Sequence, residues 1–275
     1  MKRALLAAAT CLVALPLLAQ APAPEAPVAA TPDVATQRNG SKVWIGRYAE
    51  YEEFLRTAPI ERVEKIPLGV TKPERGFFAP GGLAASAAIK HLPTGRRAGF
   101  WESYKSEIAA YQLDRLLGLD MVPPTVERRV GGELGAVVLW VGGCKLIKDV
   151  TQSTCPNPVR WAKEACRQRV FDNLTANIDD NAGNILVDPE WNMVLIDHSR
   201  AFASEQMPFE KEMTRVDHEL FDRLKALDEA GLMKNVRPWV LADGSIRAVL
   251  KRRDKIVARF ETLARERGEG AVFPW

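Results

Sequence analysis

The chain has 275 residues, with 38 lysines and arginines against 35 aspartates and glutamates and a formal net charge of +3. That balance excludes a dedicated nucleic-acid binder, which needs a strong basic excess to offset phosphate charge. The length suffices for one medium-sized core, or for two small lobes that share a cleft.

Met1-Lys2-Arg3 is a positive leader, Ala4 to Leu18 is apolar, and Ala19-Gln20-Ala21 is a small-residue cleavage site. This is the pattern of a secretory signal over 1–21, and it predicts a secreted or periplasmic protein. The apolar stretch holds Pro16 and falls short of the roughly twenty apolar residues that span a bilayer. Residues 22–42, rich in Ala and Pro, predict a disordered linker. Cys144, Cys155 and Cys166 lie beyond it. An exported protein can oxidise one pair of them, and their spacing is not that of a zinc site.

Ile66 to Thr71 predicts a strand that bends at Gly69, and Ala84 to Lys90 a strand that ends in a lysine. Ser106 to Leu117 predicts a helix capped by Ser106, opened by the acid Glu107 and stopped by Gly118, with Ile108, Tyr111 and Leu116 on its apolar face. A strand begins at Val122. Val126–Val130 and Leu134–Trp140 then form a hairpin through Gly131-Gly132. Val141-Gly142-Gly143 reads as a hinge. Helices follow over Val159–Thr175 (stripe Trp161, Val170, Phe171, Leu174), about 214–227 and about 246–265. The expectation is an α+β protein: a sheet-plus-helix N-lobe over about 43–140, a hinge at 141–143 and a mostly helical C-lobe over 144–275.

The densest chemistry lies between Asn177 and Asp197. Asp179 precedes Asn184 by five residues, and Asn184 opens the apolar run Ile185–Val187. The turn-forming Asp188-Pro189-Glu190-Trp191-Asn192 leads into Met193–Ile196, which ends at Asp197. Two short apolar runs joined by such a turn predict a β-hairpin. Its closure is expected to set Asn184 opposite Asp197 on one face, an amide oxygen and a carboxylate suited to Mg²⁺.

Phosphoryl transfer needs positioning and charge neutralisation more than covalent chemistry. Lys90 is the candidate to hold phosphates, with Glu107 to hold Lys90. Asn184 and Asp197 are the candidate metal ligands, and Asp179 is the candidate to orient an attacking hydroxyl and take its proton. Lys72 and Lys105 rival Lys90, and Gly81-Gly82 is a candidate phosphate cover. His198 is read as a hydrogen-bonding neighbour of Asp197 or of the loop. Counting from Asp179 also gives an EF-hand-like spacing. The sixth position, where that loop needs glycine, is Asn184, however, and the fifth is Gly183, without a side-chain oxygen. The basic helix around Lys251–Arg259 is interrupted by Asp254 and reads as a solvated face.

Glu107-Ile-Ala-Ala-Tyr-Gln-Leu-Asp-Arg-Leu-Leu-Gly118, Met121-Val-Pro-Pro-Thr125 and Phe171-Asp-Asn-Leu-Thr-Ala-Asn-Ile-Asp179 resemble the secreted Golgi casein kinase family and its bacterial relatives. That family lies within the atypical kinases that include phosphatidylinositol 4-kinases and HipA-type kinases. The resemblance runs from about Ile66 to Phe202. It implies a two-lobed protein-kinase-like fold using ATP with Mg²⁺ or Mn²⁺. Lys90 and Glu107 would be the nucleotide ion pair, Asp179 the catalytic aspartate and Asp197 the metal aspartate. Two departures stand out. Relatives commonly carry Arg directly after the catalytic Asp, where this chain has Asp180; the secreted animal enzymes have Glu where Asn184 stands, and the lipid kinases Asn.

The resulting expectation is an exported kinase moving the γ-phosphoryl group of ATP to a hydroxyl on a protein, lipid headgroup or sugar. The alternatives are an inactive pseudokinase that binds nucleotide or a partner, and a calcium-binding module.

Overall fold

A computed structural model describes residues 42–66, 73–179 and 181–275. The leader, nearly all of the linker, most of the predicted strand at 66–71, Lys72 and Asp180 lie outside the described residues.

Helix α1 (Tyr48–Thr57) precedes strands β1 (Ile60–Lys65), β2 (Glu74–Phe78) and β3 (Ser86–Lys90). A small hairpin, β4 (Gly95–Arg97) and β5 (Phe100–Glu102), leads into α2 (Tyr104–Leu117), then β6 (Thr125–Val130) and β7 (Glu133–Leu139). The main sheet is antiparallel throughout, in the order β1-β2-β3-β7-β6. β3 is therefore interior, with Lys90 paired to Ala136 of β7. Its Ala87 and Ile89 are buried on one side with Val137 and Leu139. On the other side Ala136 and Val138 pack with Tyr104 and Ile108 of α2. That contact lays α2 across the sheet and fixes its first turn near the end of β3.

The cap of α2 differs from expectation. Ser103, in extended conformation, is the N-cap, and its side chain accepts from Lys105 N. Ser106 lies one turn inside, buried, and its hydroxyl donates to Ala201 O at 3.1 Å. Gly118 stops the helix as predicted, at φ +53°, where a Cβ would meet the Arg223 guanidinium at 2.0 Å.

From β7 the chain passes to β8 (Lys145–Leu146) and α3 (Pro158–Thr175), and then to β9 (Ile185–Val187) and β10 (Met193–Leu195). The second sheet runs β10-β9-β8. The remaining helices are α4 (His218–Ala226), α5 (Glu229–Asn235), α6 (Asp243–Arg267) and α7 (Glu269–Val272). Helix α4 starts four residues later than predicted because Asp217 caps it, accepting from Leu220 N. Trp161, Val170, Phe171 and Leu174 of α3 are buried with Leu220 and Leu224 of α4 and Val249 and Phe260 of α6. The whole is a mixed α+β structure with an antiparallel sheet first and a helical region after it. Among the described residues no helix is long and apolar enough to cross a membrane, and no disulfide joins Cys155 to Cys166.

Candidate active site

Three chain segments meet at the end of β3. Lys90 Nζ lies 2.6 Å from Glu107 Oε1 on α2 and 2.9 Å from Asp197 Oδ1, just past β10. Glu107 Oε2 accepts from the backbone N–H of His198 at 3.0 Å, so one carboxylate ties β3 to the segment that carries Asp197. Burial alone would lower the Lys90 pKa, but Asp197 and Glu107 outweigh it and hold the ammonium charged, with a net upward shift. Burial pushes Glu107 up, against the opposing pull of Lys90 and the His198 N–H. The Lys90 charge draws Asp197 down to about 2. Burial and the Lys90 charge lower His198 to about 3 and leave the ring neutral. The ring stands edge-on to Phe171 at 5.7 Å.

The loop after α3 forms the facing wall. Ala176 closes α3 in the left-handed region at φ +52°. Asn177 Nδ2 donates to the buried Asp172 at 3.0 Å, which anchors the loop's first residue. Asp179 Oδ1 accepts from Asn181 Nδ2 at 2.9 Å. Asp179 Oδ2 pairs with Arg200 Nη1 at 3.1 Å. Asn184 Nδ2 donates to the Asp179 carbonyl at 2.9 Å. A carbonyl only accepts, so the amide nitrogen is fixed there and Asn184 Oδ1 is left as an acceptor.

Asn184 does not stand opposite Asp197. The ladder pairs Leu195 with Ile185 and Met193 with Val187, and Ile196 N donates to Asn184 O at 3.0 Å. Asp197 lies one residue past that register. Its φ of +62° takes the chain out of the strand, and the side chain meets Lys90 Nζ instead of following the pleat. A non-glycine residue in this region is uncommon and costs about 1 kcal/mol or more. Ser199 Oγ donates to Asp197 Oδ1 at 3.1 Å, and 28% of the Asp197 side chain stays exposed.

The other candidates fall elsewhere. Gly81-Gly82 lies in the β2–β3 connection, at the Ser86 end of β3 and so at the far end of that strand from Lys90. Gly82 is small because the Phe54 ring of α1 would stand 2.8 Å from a Cβ there. Lys105 lines a cavity of about 210 Å³ with Thr94, Trp101, Glu102 and Ser199 and does not join the Lys90 cluster. The EF-hand reading fails because the loop leads into strand β9 and not into a helix. Sequence reasoning missed Arg200, Glu102 and Asn181. Arg200 Nε donates to Glu102 Oε1 at 2.9 Å, a contact across 98 residues that no local spacing announces. Asn181, two residues after Asp179, was the one with a local signal: its Oδ1 accepts from Gly183 N at 2.7 Å, an Asx turn.

A carboxylate and an amide oxygen are hard donors of the kind Mg²⁺ or Mn²⁺ takes, and so few protein ligands leave room for phosphate oxygens. Among the described residues no three His, Cys, Asp or Glu side chains gather into a closed metal cage.

A five-stranded sheet packed by α1 on one face and α2 on the other, with a lysine–glutamate–aspartate cluster at the end of β3 and a helical region after it, is a kinase-like fold. The solved Golgi casein kinase with Mn/ADP bound matches it with a TM-score of 0.62 at 15% identity, over 82% of this chain and 78% of that one. The structure of hydra Fam20 with sugar matches with a TM-score of 0.61 at 15% identity, over 82% of this chain and 91% of that one. The likeness is one of fold. No protein-family profile matches the chain, and no curated protein matches it in sequence.

Proposed function

We propose that the protein is an exported ATP-dependent phosphotransferase that acts on a hydroxyl acceptor. The observation that carries this reading is Lys90 Nζ, bonded at once to Glu107 and Asp197 from two other segments within a kinase-like fold. In this reading Lys90 holds donor phosphates and Glu107 keeps it aimed. Asn184 Oδ1 and Asp197 hold Mg²⁺ or Mn²⁺, which supplies charge neutralisation at the phosphates. Asp179 orients the acceptor hydroxyl and takes its proton. Glu107 and Asp197 take two of the three Lys90 ammonium donors, and the third serves a phosphate oxygen. Residues 43–140 act as one lobe, 144–275 as the other and 141–143 as the hinge. The leader at 1–21 supports a secreted or periplasmic location. The Mn/ADP in the solved Golgi casein kinase supports the choice of donor and metal.

The test is the melting temperature with ATP and Mn²⁺ together, then each alone, for wild type, Asp197→Asn and Asn184→Ala. At about a hundred times Kd, binding adds about 2.7 kcal/mol, or roughly 5–10 °C for a domain of this size. The shift is expected to need both components and to be lost in the two variants. No shift with any nucleotide and metal defeats the reading. A shift without ADP formation when serine peptides, sugars and inositol lipids are offered as acceptors replaces it with a nucleotide-binding, non-catalytic protein.

A further inference from the structure

We propose that Arg200 is a positioning residue that fixes the Asp179 carboxylate relative to Asp197, with Glu102 as its brace; this rests on the phosphotransferase reading above. The loop that carries Asp179 has little apolar anchorage of its own. Ile178 is 43% exposed, and Asn181 and Gly183 bond mainly within the loop. Polar ties must therefore set its position against the rest of the site.

Arg200 is the tie that starts from the Asp197 segment, three residues downstream. Its Nη1 lies 3.1 Å from Asp179 Oδ2 and its Nε 2.9 Å from Glu102 Oε1. The guanidinium stands over the Phe100 ring at 4.6 Å. Glu102 keeps only 4% of its side-chain surface and Arg200 only 17%, so the brace is itself buried. A planar guanidinium with several donors satisfies two carboxylates and a ring face together, which a single ammonium cannot do. With Asn181 Nδ2 on Oδ1 and Arg200 on Oδ2, the Asp179 carboxylate has one orientation. Misplacement of a reacting group by about 1 Å can cost about a hundredfold in rate, which gives such a tie its value.

The test compares wild type with Arg200→Gln, Arg200→Lys, Glu102→Gln and Asp179→Asn. ADP formation from ATP and Mn²⁺, with a serine peptide, a sugar and an inositol lipid offered as hydroxyl acceptors, gives kcat and KM, and the melting temperature is read with and without ATP and Mn²⁺. Arg200→Gln is expected to lower kcat about 30–100-fold with KM for ATP within about threefold and the nucleotide-induced melting shift intact. Arg200→Lys recovers part of the loss, and Glu102→Gln, which keeps an acceptor oxygen, shows a smaller loss in the same direction. Adding Arg200→Gln to Asp179→Asn costs nothing further. An unchanged kcat overturns the inference, and so does a loss that falls in step with melting temperature and nucleotide affinity. A wild type that binds nucleotide but forms no ADP with any of these acceptors defeats the phosphotransferase reading itself, and this inference with it.

Discussion

Lys90 and Glu107 keep 9% and 4% of their side-chain surfaces, whereas Asp179, in the facing loop, keeps 28%. The two walls of the candidate site are thus held by different physics. In the dry wall every charge has a partner at short range, because an uncompensated buried charge costs several kcal/mol. Those residues hold the fold and arrange the site at the same time. In the loop wall, water partly screens Asp179 and its bonds mostly set direction. Substitutions in the first wall should damage stability and binding together, and substitutions in the second should damage chemistry alone.

The largest effect expected on stability is from Glu107→Ala. It leaves Lys90 with one carboxylate in place of two and strips the His198 N–H of its acceptor. Breaking a buried pair in this way costs about 3–5 kcal/mol, and nucleotide binding should fall with it. Urea unfolding measures the first and the ATP–Mn²⁺ melting shift the second. A stability loss under about 1 kcal/mol would place this pair with surface pairs and erase the contrast between the walls.

Asp114 sharpens the comparison from the same helix. It is as deeply buried as Glu107, but its Oδ1 accepts from two backbone N–H groups, Met121 at 3.0 Å and Val122 at 3.2 Å, and neither these nor the Lys42 charge offsets its burial. Burial raises its pKa from 3.8 to about 7. The folded state therefore holds a proton that the unfolded chain has already released between those values, and stability falls as pH rises from about 4 to about 7. At about 1.4 kcal/mol per unit the loss is about 4 kcal/mol. Asp114→Asn keeps an oxygen for both N–H groups and removes the titration. The difference in unfolding free energy between wild type and variant should widen in favour of the variant from pH 4 to pH 8. Parallel pH profiles would show that the carboxylate is not penalised.

The same division explains what could be read from the chain. The dry wall was legible, because a strand that ends in lysine, a helix with an acid in its first turn and two short apolar runs around an Asp/Pro/Asn turn are periodic or local patterns. Where the pattern was degenerate, reading slipped. Ser103 and Ser106 both precede helix-forming residues, and only packing against Ala201 decides which one is inside. The hairpin register was off by one because Asp197 leaves the strand at positive φ without a glycine to announce it. The loop wall was legible only in its own residues. Arg200 and the β4–β5 hairpin that carries Glu102 reach it through tertiary contacts, which no spacing encodes.

Asp179→Asn should have the smallest effect on stability and so makes the sharpest use of the comparison. The Arg200–Asp179 contact is a partly buried pair, its side chains 17% and 28% exposed, and is worth about 1 kcal/mol. Asparagine keeps the shape and one oxygen for Asn181, so the unfolding midpoint should move little. If Asp179 takes the acceptor's proton as proposed, its removal should cost about 10²–10⁴-fold in turnover, while the nucleotide-induced melting shift assigned to Lys90, Glu107 and Asp197 should persist. Stability and ADP formation with a hydroxyl acceptor, measured on one preparation, give the ratio that matters: little of the first lost and most of the second. If Asp179→Asn instead lost as much stability as Glu107→Ala, the loop would be part of the folding core and its bonds to Arg200 and Asn181 would be structural. Only the predicted asymmetry is consistent with a loop held for direction against a wall held for charge.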